Sequence, residues 1–467
     1  MTSASAKTLS TSLHAPAGPV PRGESARAGR VRYLILAMVF LVTTLNYADR
    51  ATLSITGPMM RGEFGLTPVQ MGFVFSAFSW SYMLVQIPGG WLLDRYGPRR
   101  VYAASIFLWS LFTLLQAGVG LLGGVGLAVA SLFLMRFLVG LAEAPAFPAN
   151  AKIVSAWFPT QERGTASAIF NAGQYCAAVL FTPLMAGITH LLGWRSVYGF
   201  MGAGGIVMSL LWLAVVRSPA RHRWVNAAEL QHIEAGGGLI QMDEGGAGAT
   251  GRPRRSAGET WRQVRQLLGN RMLIGINIGQ FSINVLTYFF LTWFPLYLVQ
   301  ERHMSILQAG FMVSLPAVFG FVGGVLGGVV SDFMLRRGCS LTLARKTPIV
   351  LGMFMSASVI ACNYVQADAL VIALMSLSFF GKGFGAFGWA VMADVAPKEV
   401  MGLAGGIFNM FGAVAGVVTP IVIGYILQGT GHFAGAMWFV GINGLITVLA
   451  YLFIVQKIER IELQPAG

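Results

Sequence analysis

An all-α polytopic membrane protein of twelve transmembrane helices in two six-helix pseudo-repeats is the fold class predicted, and three observations predict it. The first is composition: 55% of the 467 residues are hydrophobic and only 11% are charged, against about a quarter charged in soluble globular chains, and the mean hydropathy is +0.67. The second is spacing. Twelve apolar stretches of about 20 residues, the length that crosses a hydrocarbon core, begin near 33, 69, 100, 124, 165, 195, 271, 306, 346, 367, 402 and 432. The third is internal repetition. At an offset of 238, Gly90 and Asp94 recur as Gly328 and Asp332, Pro159 and Gly164 as Pro397 and Gly402, and Ile169-Phe170-Asn171 as Ile407-Phe408-Asn409. One offset shared by three separate regions marks a tandem repeat, and parallel halves of this kind hold a ligand near the midplane between them.

Taken in order, residues 1–32 are rich in Ser, Ala, Pro and Arg and lack the apolar core of a signal peptide, so a disordered cytoplasmic N-terminal tail is expected. Residues 33–216 hold six of the stretches and form the N-terminal six-helix bundle. Residues 217–270 read as a cytoplasmic linker, with Gly-Gly-Gly at 236–238, Gly-Gly at 245–246, a basic Arg252-Pro253-Arg254-Arg255 and one amphipathic helix from about Ala227 to Glu234. Residues 271–456 form the C-terminal six-helix bundle, and 457–467 the cytoplasmic C-terminus.

The net charge of +14 acquires meaning from its placement. Of the 32 Lys and Arg, 26 lie in the N-terminal segment, the even-numbered loops and the C-terminus. Only Arg61, Arg195 and Arg302 fall in odd-numbered loops, and Arg50, Arg136 and Lys382 lie inside stretches. This positive-inside asymmetry predicts a multi-pass protein of the cell inner (plasma) membrane with both termini cytoplasmic. Nucleic acid is excluded as a partner, because no basic face with interleaved aromatics is present. The cysteines Cys176, Cys339 and Cys362 have no metal-site or disulfide spacing. The six histidines are scattered, and none pairs with a Ser or Cys at a meaningful spacing. Neither an enzyme nor a cofactor or metal is expected.

Charge inside the stretches points to function. Asn46-Tyr47-Ala48-Asp49-Arg50 closes the first apolar run, and an acid-base pair at membrane depth costs several kcal/mol unless it faces a cavity or a partner. At the offset of 238, Asp49 and Arg50 map onto Thr287 and Tyr288, and Glu143 onto Gly381. Intramembrane charge is thus concentrated in the first half, with Lys382 the exception. Arg136 and Glu143 lie seven residues apart on one helix face, about 10 Å along the axis. Gly140 between them leaves room for a neighbour, and Ala144-Pro145-Ala146-Phe147-Pro148 loosens the backbone. Either the two satisfy each other as a structural salt bridge, or they provide a cation for an anionic substrate and an acid that takes and releases a proton; the second reading is preferred. Arg50 presents a planar fork suited to a carboxylate, with Asn46 one turn away on the same face.

Two glycine patterns are read as structural. Gly118, Gly120 and Gly123 fit G-x-G-x-x-G but lie in a short loop between apolar helices with no preceding strand, so they mark a tight hairpin and no dinucleotide site. Gly320, Gly324 and Gly328, with Gly323 and Gly327 beside them, are spaced for close helix packing.

Gly90-Trp91-Leu92-Leu93-Asp94-Arg95-Tyr96-Gly97-Pro98-Arg99-Arg100 resembles the G-x-x-x-D-R-x-G-R-R loop signature of the major facilitator superfamily, and Asp332 with Arg336 and Arg337 is a degenerate second copy. An acid such as Asp94 or Asp332 at a span end can pair with loop arginines, here Arg95 and Arg99, and with a helix terminus, latching the cytoplasmic ends. The alternative is topological anchoring by positive charge alone. Further strings narrow the resemblance: Asn46-Tyr47-Ala48-Asp49-Arg50, Phe75-Ser76-Ala77-Phe78, Gln86-Ile87-Pro88-Gly89-Gly90-Trp91, Glu143-Ala144-Pro145-Ala146-Phe147-Pro148 and Trp293-Phe294-Pro295-Leu296-Tyr297. They are similar to the anion:cation symporter family, over nearly the whole chain except the tail and part of the linker. Within it, Phe380-Gly381-Lys382-Gly383-Phe384, Gly388-Trp389-Ala390 and the ending from Lys457 to Leu463 resemble the glucarate/galactarate branch.

The resemblance implies the major facilitator fold. From the galactonate-type members it implies that Arg50, Tyr82, Gln174, Gln280, Trp389 and Asn409 line a substrate pocket. It also implies proton-linked roles for Asp49 and Glu143, with Arg136 as their partner. Lys382 departs from the galactonate-type pattern, which has Asn there. The expected function is proton-coupled import of a sugar acid, foremost D-glucarate or galactarate, by alternating access. Its expected partners are a small anionic substrate, protons and the lipid bilayer, with the chain acting as a monomer. Arg50 would hold one carboxylate and Lys382 the other, unless Lys382 snorkels or pairs internally. A dianion carried with one proton would still move negative charge into a negative interior, against about 2.3 kcal/mol per 100 mV; two protons, on Asp49 and Glu143, remove that penalty. The rival readings are another organic anion (galactonate, a hexuronate, tartrate), a drug/proton antiporter and a transport-inactive sensor.

Overall fold

The computed structural model describes residues 29–121, 123–242, 257–397 and 400–462. Residues 1–28 of the expected tail, the Gly-Gly at 245–246, the basic run at 252–255 and residues 463–467 lie outside the described residues. Among those described, the chain is helical and no strand occurs. The first half comprises α1 (Val31–Phe64), α2 (Pro68–Tyr96), α3 (Pro98–Gln116), α4 (Val125–Trp157), α5 (Arg163–Leu192) and α6 (Trp194–Val215). Two helices, α7 (Ala227–Ala235) and α8 (Ala257–Gly269), belong to the connecting segment. The second half comprises α9 (Arg271–Gln300), α10 (Ile306–Arg336), α11 (Leu341–Tyr364), α12 (Asp368–Val395), α13 (Met401–Thr430) and α14 (Ala434–Ile454). Ten of these are long and apolar enough to cross a membrane, and α2 and α3 complete the twelve. The 29 residues of α2 are diluted by serines, glutamines and the closing Asp94-Arg95, and the 19 of α3 open on two arginines.

The tandem repeat is visible in how these helices start and stop. Thr67 and Gln70 form a capping box at the start of α2, and Ser305 and Gln308 form the same box 238 residues later at the start of α10. Both boundaries of α5 recur in α13 at that offset. Gly193 (φ 81°) and Gly431 (φ 76°) then turn the chain in the left-handed region that a Cβ would disfavour.

The halves meet along two seams, α2 against α13 and α5 against α10. A Cβ on Gly72 would meet the Pro420 carbonyl, and one on Gly310 the Thr182 carbonyl; these two pairs are related by the same offset. Arg61 Nη1 donates to Gln300 Oε1 (2.5 Å) and the Val69 amide to Gln428 Oε1 (3.4 Å), while Phe75 packs edge-on against Trp293 at 5.3 Å. All of these contacts lie at the end where α1 finishes. At the opposite end, which carries the 94–100 loop and the connecting segment, a Cβ at Gly90, Gly164, Gly328 or Gly402 would meet nothing within 4 Å.

The glycines of α10 pack differently from the expected row. Gly320, Gly323 and Gly327 press on α12 at Phe379, Phe380 and Phe384, whereas a Cβ on Gly324 would make only ordinary contacts, with Gly383 at 3.8 Å and Tyr175 at 3.9 Å, and Gly328 faces open space. The face is set by the rotation of α10 against α12, and its 3-4 stagger follows from 3.6 residues per turn.

The expected linker helix is present as α7, and it is docked. Asn226 caps α7 by accepting from the Glu229 amide (2.8 Å), and the same Oδ1 accepts from Gly29 N. Glu229, wholly buried, accepts from the amides of Val31 and Arg32 and so caps α1; Arg32 also bridges to Glu162. Residues 29–32, assigned to the tail by composition, are therefore held. Ile233 joins the apolar core of the first half, in which Trp109, Trp157, Trp212 and Tyr102 are fully buried. The sequence reading missed α8, although Trp261, Val264, Leu267 and Leu268 recur there at helical spacing.

Candidate functional site

The intramembrane charges of the first half converge. Arg50, on the inward face of α1, places Nε 2.9 Å from Glu143 Oε2 of α4, with the Glu143 side chain wholly buried. Its guanidinium carbon also lies 4.6 Å from the Phe78 ring centroid, 4.8 Å from Tyr47 and 5.1 Å from Tyr82, and Phe78 and Tyr82 stack on each other at 5.4 Å. An aromatic cage is a suitable low-dielectric holder for a weakly hydrated cation. Removing either member of the buried ion pair would leave an uncompensated charge, a cost of about 3–5 kcal/mol.

Asp49 points to the other side of α1. Its Oδ2 accepts from Thr113 Oγ1 of α3 at 2.8 Å. Arg136, buried on α4, donates through Nη1 to the carbonyl of Asp49 (3.4 Å) and through Nη2 to that of Arg50 (3.3 Å). The Arg136–Glu143 salt bridge weighed above does not form: Glu143 turns to Arg50, and Arg136 braces the α1 backbone between the two charged residues. Thr113, Tyr47 and Phe78 are contacts that sequence reasoning missed. Only Tyr47 and Phe78 had a signal, since they lie within the quoted strings.

A cavity of about 100 Å³ lies beside this cluster, between the halves. Tyr47, Gln174, Thr182, Phe290, Phe379 and Lys382 are among its lining residues. Lys382 is 8% exposed and sits with Nζ 5.0 Å from the Phe379 ring centroid; among the described residues no carboxylate pairs with it. Tyr47 is shared, lining the cavity on one side and caging Arg50 on the other. In α9, the π-helical turn Phe289–Trp293 brings Phe290 onto Phe379 at 4.5 Å.

The remaining predicted residues lie outside these contacts. Asn46 is buried one turn from Arg50, and its Nδ2 has no hydrogen-bond partner among the described residues. Gln280 of α9 packs beside Gly388 and Gly412. Trp389 rests edge-on against Phe408 at 5.1 Å and is more than half exposed. Asn409 is half-buried on α13. The structure thus gathers Asp49, Arg50, Arg136, Glu143 and Tyr82 into one cluster and places Gln174 and Lys382 on the adjoining cavity. Gln280, Trp389 and Asn409 belong to the second half.

The loop residues pair within the first half. Asp94 bonds Lys152 of α4, Arg95 stacks on Trp91 and Tyr96, and Arg99 Nη2 donates to the Leu213 carbonyl of α6 at 2.7 Å. The Asp94–arginine pairing expected from the loop is absent from this state. Asp332 is exposed. In the second half it is Arg345 that bridges, to Asp394 at 2.8 Å and to Ser331 at 3.0 Å. Among the described residues, no group of His, Cys, Asp and Glu is arranged to hold a metal.

Comparison with known proteins identifies relatives of the whole architecture. The family model described as Major Facilitator Superfamily matches residues 39–344. The chain is 58% identical to the "Probable galactarate/D-glucarate transporter GudP" of Escherichia coli K12, over 93% of this chain and 96% of that one. It is 56% identical to the protein of the same description from Bacillus subtilis 168, over 93% and 94%. Among solved structures, a bacterial homologue of the human lysosomal transporter Spinster, in an inward-facing and unoccupied conformation, superposes with a TM-score of 0.67 at 16% identity, covering 92% of this chain and 95% of that one. At that identity the likeness bears on fold alone.

Proposed function

We propose that this chain, which belongs to the Major Facilitator Superfamily and is a multi-pass membrane transporter and no enzyme, imports a six-carbon sugar diacid, D-glucarate or galactarate, together with protons. The substrate class rests on the relatives that carry that description and on a cavity lined by Lys382, with Arg50 behind its wall residue Tyr47. The observation that carries the mechanism is the buried Arg50–Glu143 pair beside that cavity. While Glu143 is ionised it occupies the fork that a substrate carboxylate would use. A proton on Glu143 removes the attraction and releases Arg50 to bind the anion; loss of that proton re-forms the pair and expels the substrate. One group therefore exchanges a proton for a carboxylate, which is the linkage a symporter requires.

Lys382, buried on the opposite wall without a carboxylate partner, serves the second carboxylate. Gln174, Gln280 and Asn409 offer paired donors and acceptors to hydroxyls, and Tyr82 and Trp389 their ring faces. With Asp49, Arg50, Arg136, Glu143 and Lys382 all ionised the site carries one net positive charge. Asp49 is the second proton site, so that a dianion crosses with two protons and without net charge. Arg136 positions the α1 backbone between the two acids. We assign the basic end to the cytoplasm of an inner-membrane protein acting as a monomer, with 33–216 and 271–456 as the two moving bundles, and infer that this end is the open one because the contacts described between the halves lie at the other. Closure of that end brings Trp389, Gln280 and Asn409 toward Arg50 and allows Asp94, Arg95, Arg99 and Asp332 to latch the loops.

The test is radiolabelled glucarate uptake into proteoliposomes with an imposed pH gradient and a panel of unlabelled sugar acids. Acid outside should drive accumulation, with diacids competing better than galactonate. Glu143→Gln should retain exchange and lose accumulation; full accumulation by that variant would sink the mechanism.

A further inference from the structure

Among the buried polar atoms of the first half that have no hydrogen-bond partner among the described residues, three belong to α1 and α4 on either side of the Arg50–Glu143 pair: Glu143 Oε1, Asn46 Nδ2 and Asn150 Oδ1. Each of these residues is at most 3% exposed. In α1, Thr43, Asn46 and Arg50 are spaced by three and four residues and so share a face. In α4, Asn150 follows Glu143 by seven residues. Arg50 and Glu143 pair at one level, and two turns toward the basic end Asn150 Nδ2 donates to Thr43 Oγ1 at 3.0 Å. Tyr102 of α3 lies beside Asn150 and Thr43 and within electrostatic range of Glu143. The column between the two levels is about 10 Å long.

The helix opens along this column. Residues 144–145 form a turn between the two helical parts of α4, and Pro148 lacks the amide that would bond the carbonyl of Ala144 in a regular helix. In a membrane interior, backbone freed in this way is satisfied by side chains or ordered water. Unpaired groups buried in a protein are costly, and a water that reaches two to four of them relieves that cost.

We propose that α1, α3 and α4 enclose an internal water site, a chain of about two or three molecules running from Glu143 Oε1 past Asn46 to Asn150 and Tyr102. It is separate from the substrate cavity. The ligand class is water, and its protonated form during turnover. The site gives the carboxyl a hydrogen-bond partner on the side turned away from Arg50. A proton leaving Glu143 Oε1 passes to the first water while Glu143 Oε2 re-forms its pair with Arg50, so proton and carboxylate depart by different faces of the same group. Asn46, Asn150 and Tyr102 are positioning residues for this step. The inference rests on the proton-carrying role given to Glu143.

The groups that also face Glu143 and its partner are Asp49 and Tyr47 on α1, Arg136 on α4, Tyr82 on α2 and Tyr288 on α9. The test keeps all of them and changes only the far end of the column, with Tyr102→Phe and Asn150→Leu in the full chain. In proteoliposomes, pH-driven uptake should slow by about fivefold, the worth of one ordinary hydrogen bond, and its pH profile should move, while exchange at fixed pH stays near that of the parent. Acid-minus-neutral infrared difference spectra provide a reading that does not depend on transport. The carboxyl stretch that Glu143→Gln removes should shift to higher frequency in both variants as its hydrogen bond weakens. An unmoved band, or exchange and driven uptake falling together, would overturn the water site. A parent protein without acid-driven diacid uptake, yet with the band shift intact, would overturn the transport assignment and leave the water site standing.

Discussion

Replacing Gly72 with alanine places a methyl group 2.5 Å from the Pro420 carbonyl oxygen and 3.2 Å from Ile421 Cα. Ordinary contact requires roughly 3.5 Å, so α2 and α13 must part by about 1 Å. Overpacking of this kind costs about 1–3 kcal/mol. The strain exists only while this end is closed, so it acts as a ligand for the other conformation and shifts the closed-to-open ratio by about 5- to 150-fold. Gly310→Ala should do the same on the α5–α10 seam, where its methyl would crowd Ala186 and the Thr182 carbonyl. The two seams share no side chain, and the double variant should be near additive. Spin labels on the loops that follow α1 and α9, read as a distance distribution in nanodiscs, would report the population directly. Gly429→Ala, at the same end of α13 with nothing within 4 Å, is the control. An unchanged distribution in Gly72→Ala and Gly310→Ala would refute the assignment of these glycines as the contact points of the closed state.

Gly323→Val, against the Phe380 carbonyl, should abolish folding or cut the yield severalfold, whereas Gly328→Val, facing open space, should leave yield and melting unchanged; equal yields would contradict the packing of α10 on α12. Glu229→Ala removes the acceptor for the first amides of α1 and should lower stability by about 1–3 kcal/mol, read as a lower thermal midpoint in detergent, and an unaltered midpoint would mean that α7 does not hold α1. Lys382→Asn should slow diacid uptake by about 10- to 100-fold, the value of a charge-assisted hydrogen bond, with much less effect on a mono-acid; equal losses on both would remove Lys382 from the second carboxylate.

The helices were legible because each reads from its own residues. The twelve stretches begin within a few residues of the observed starts, and the 238-residue offset recurs down to the capping residues Thr67 and Ser305 and the turn glycines Gly193 and Gly431. Periodicity, caps and turns depend on a dozen neighbouring residues, and lipid exposure enforces them in every span. The linker was less legible. Composition marked 29–32 as tail and 227–235 as a surface helix, but a buried carboxylate at Glu229 has meaning only once the start of α1 is beside it.

Which charge meets which was decided elsewhere. The sequence by itself determined that Asp49, Arg50, Arg136, Glu143 and Lys382 lie at membrane depth and that the first half holds most of them, because polarity and spacing along one helix settle depth and face. It did not determine that Glu143 pairs with Arg50 while Arg136 grips the α1 carbonyls, that Thr113 holds Asp49, or that Asp94 takes Lys152. Those partners come from different helices, and choosing among them requires the rotation of each helix to within a fraction of a turn and its tilt to within an ångström or two. Only the packing of whole helices, through contacts such as Gly323 on Phe380 and Gly72 on Pro420, sets those angles.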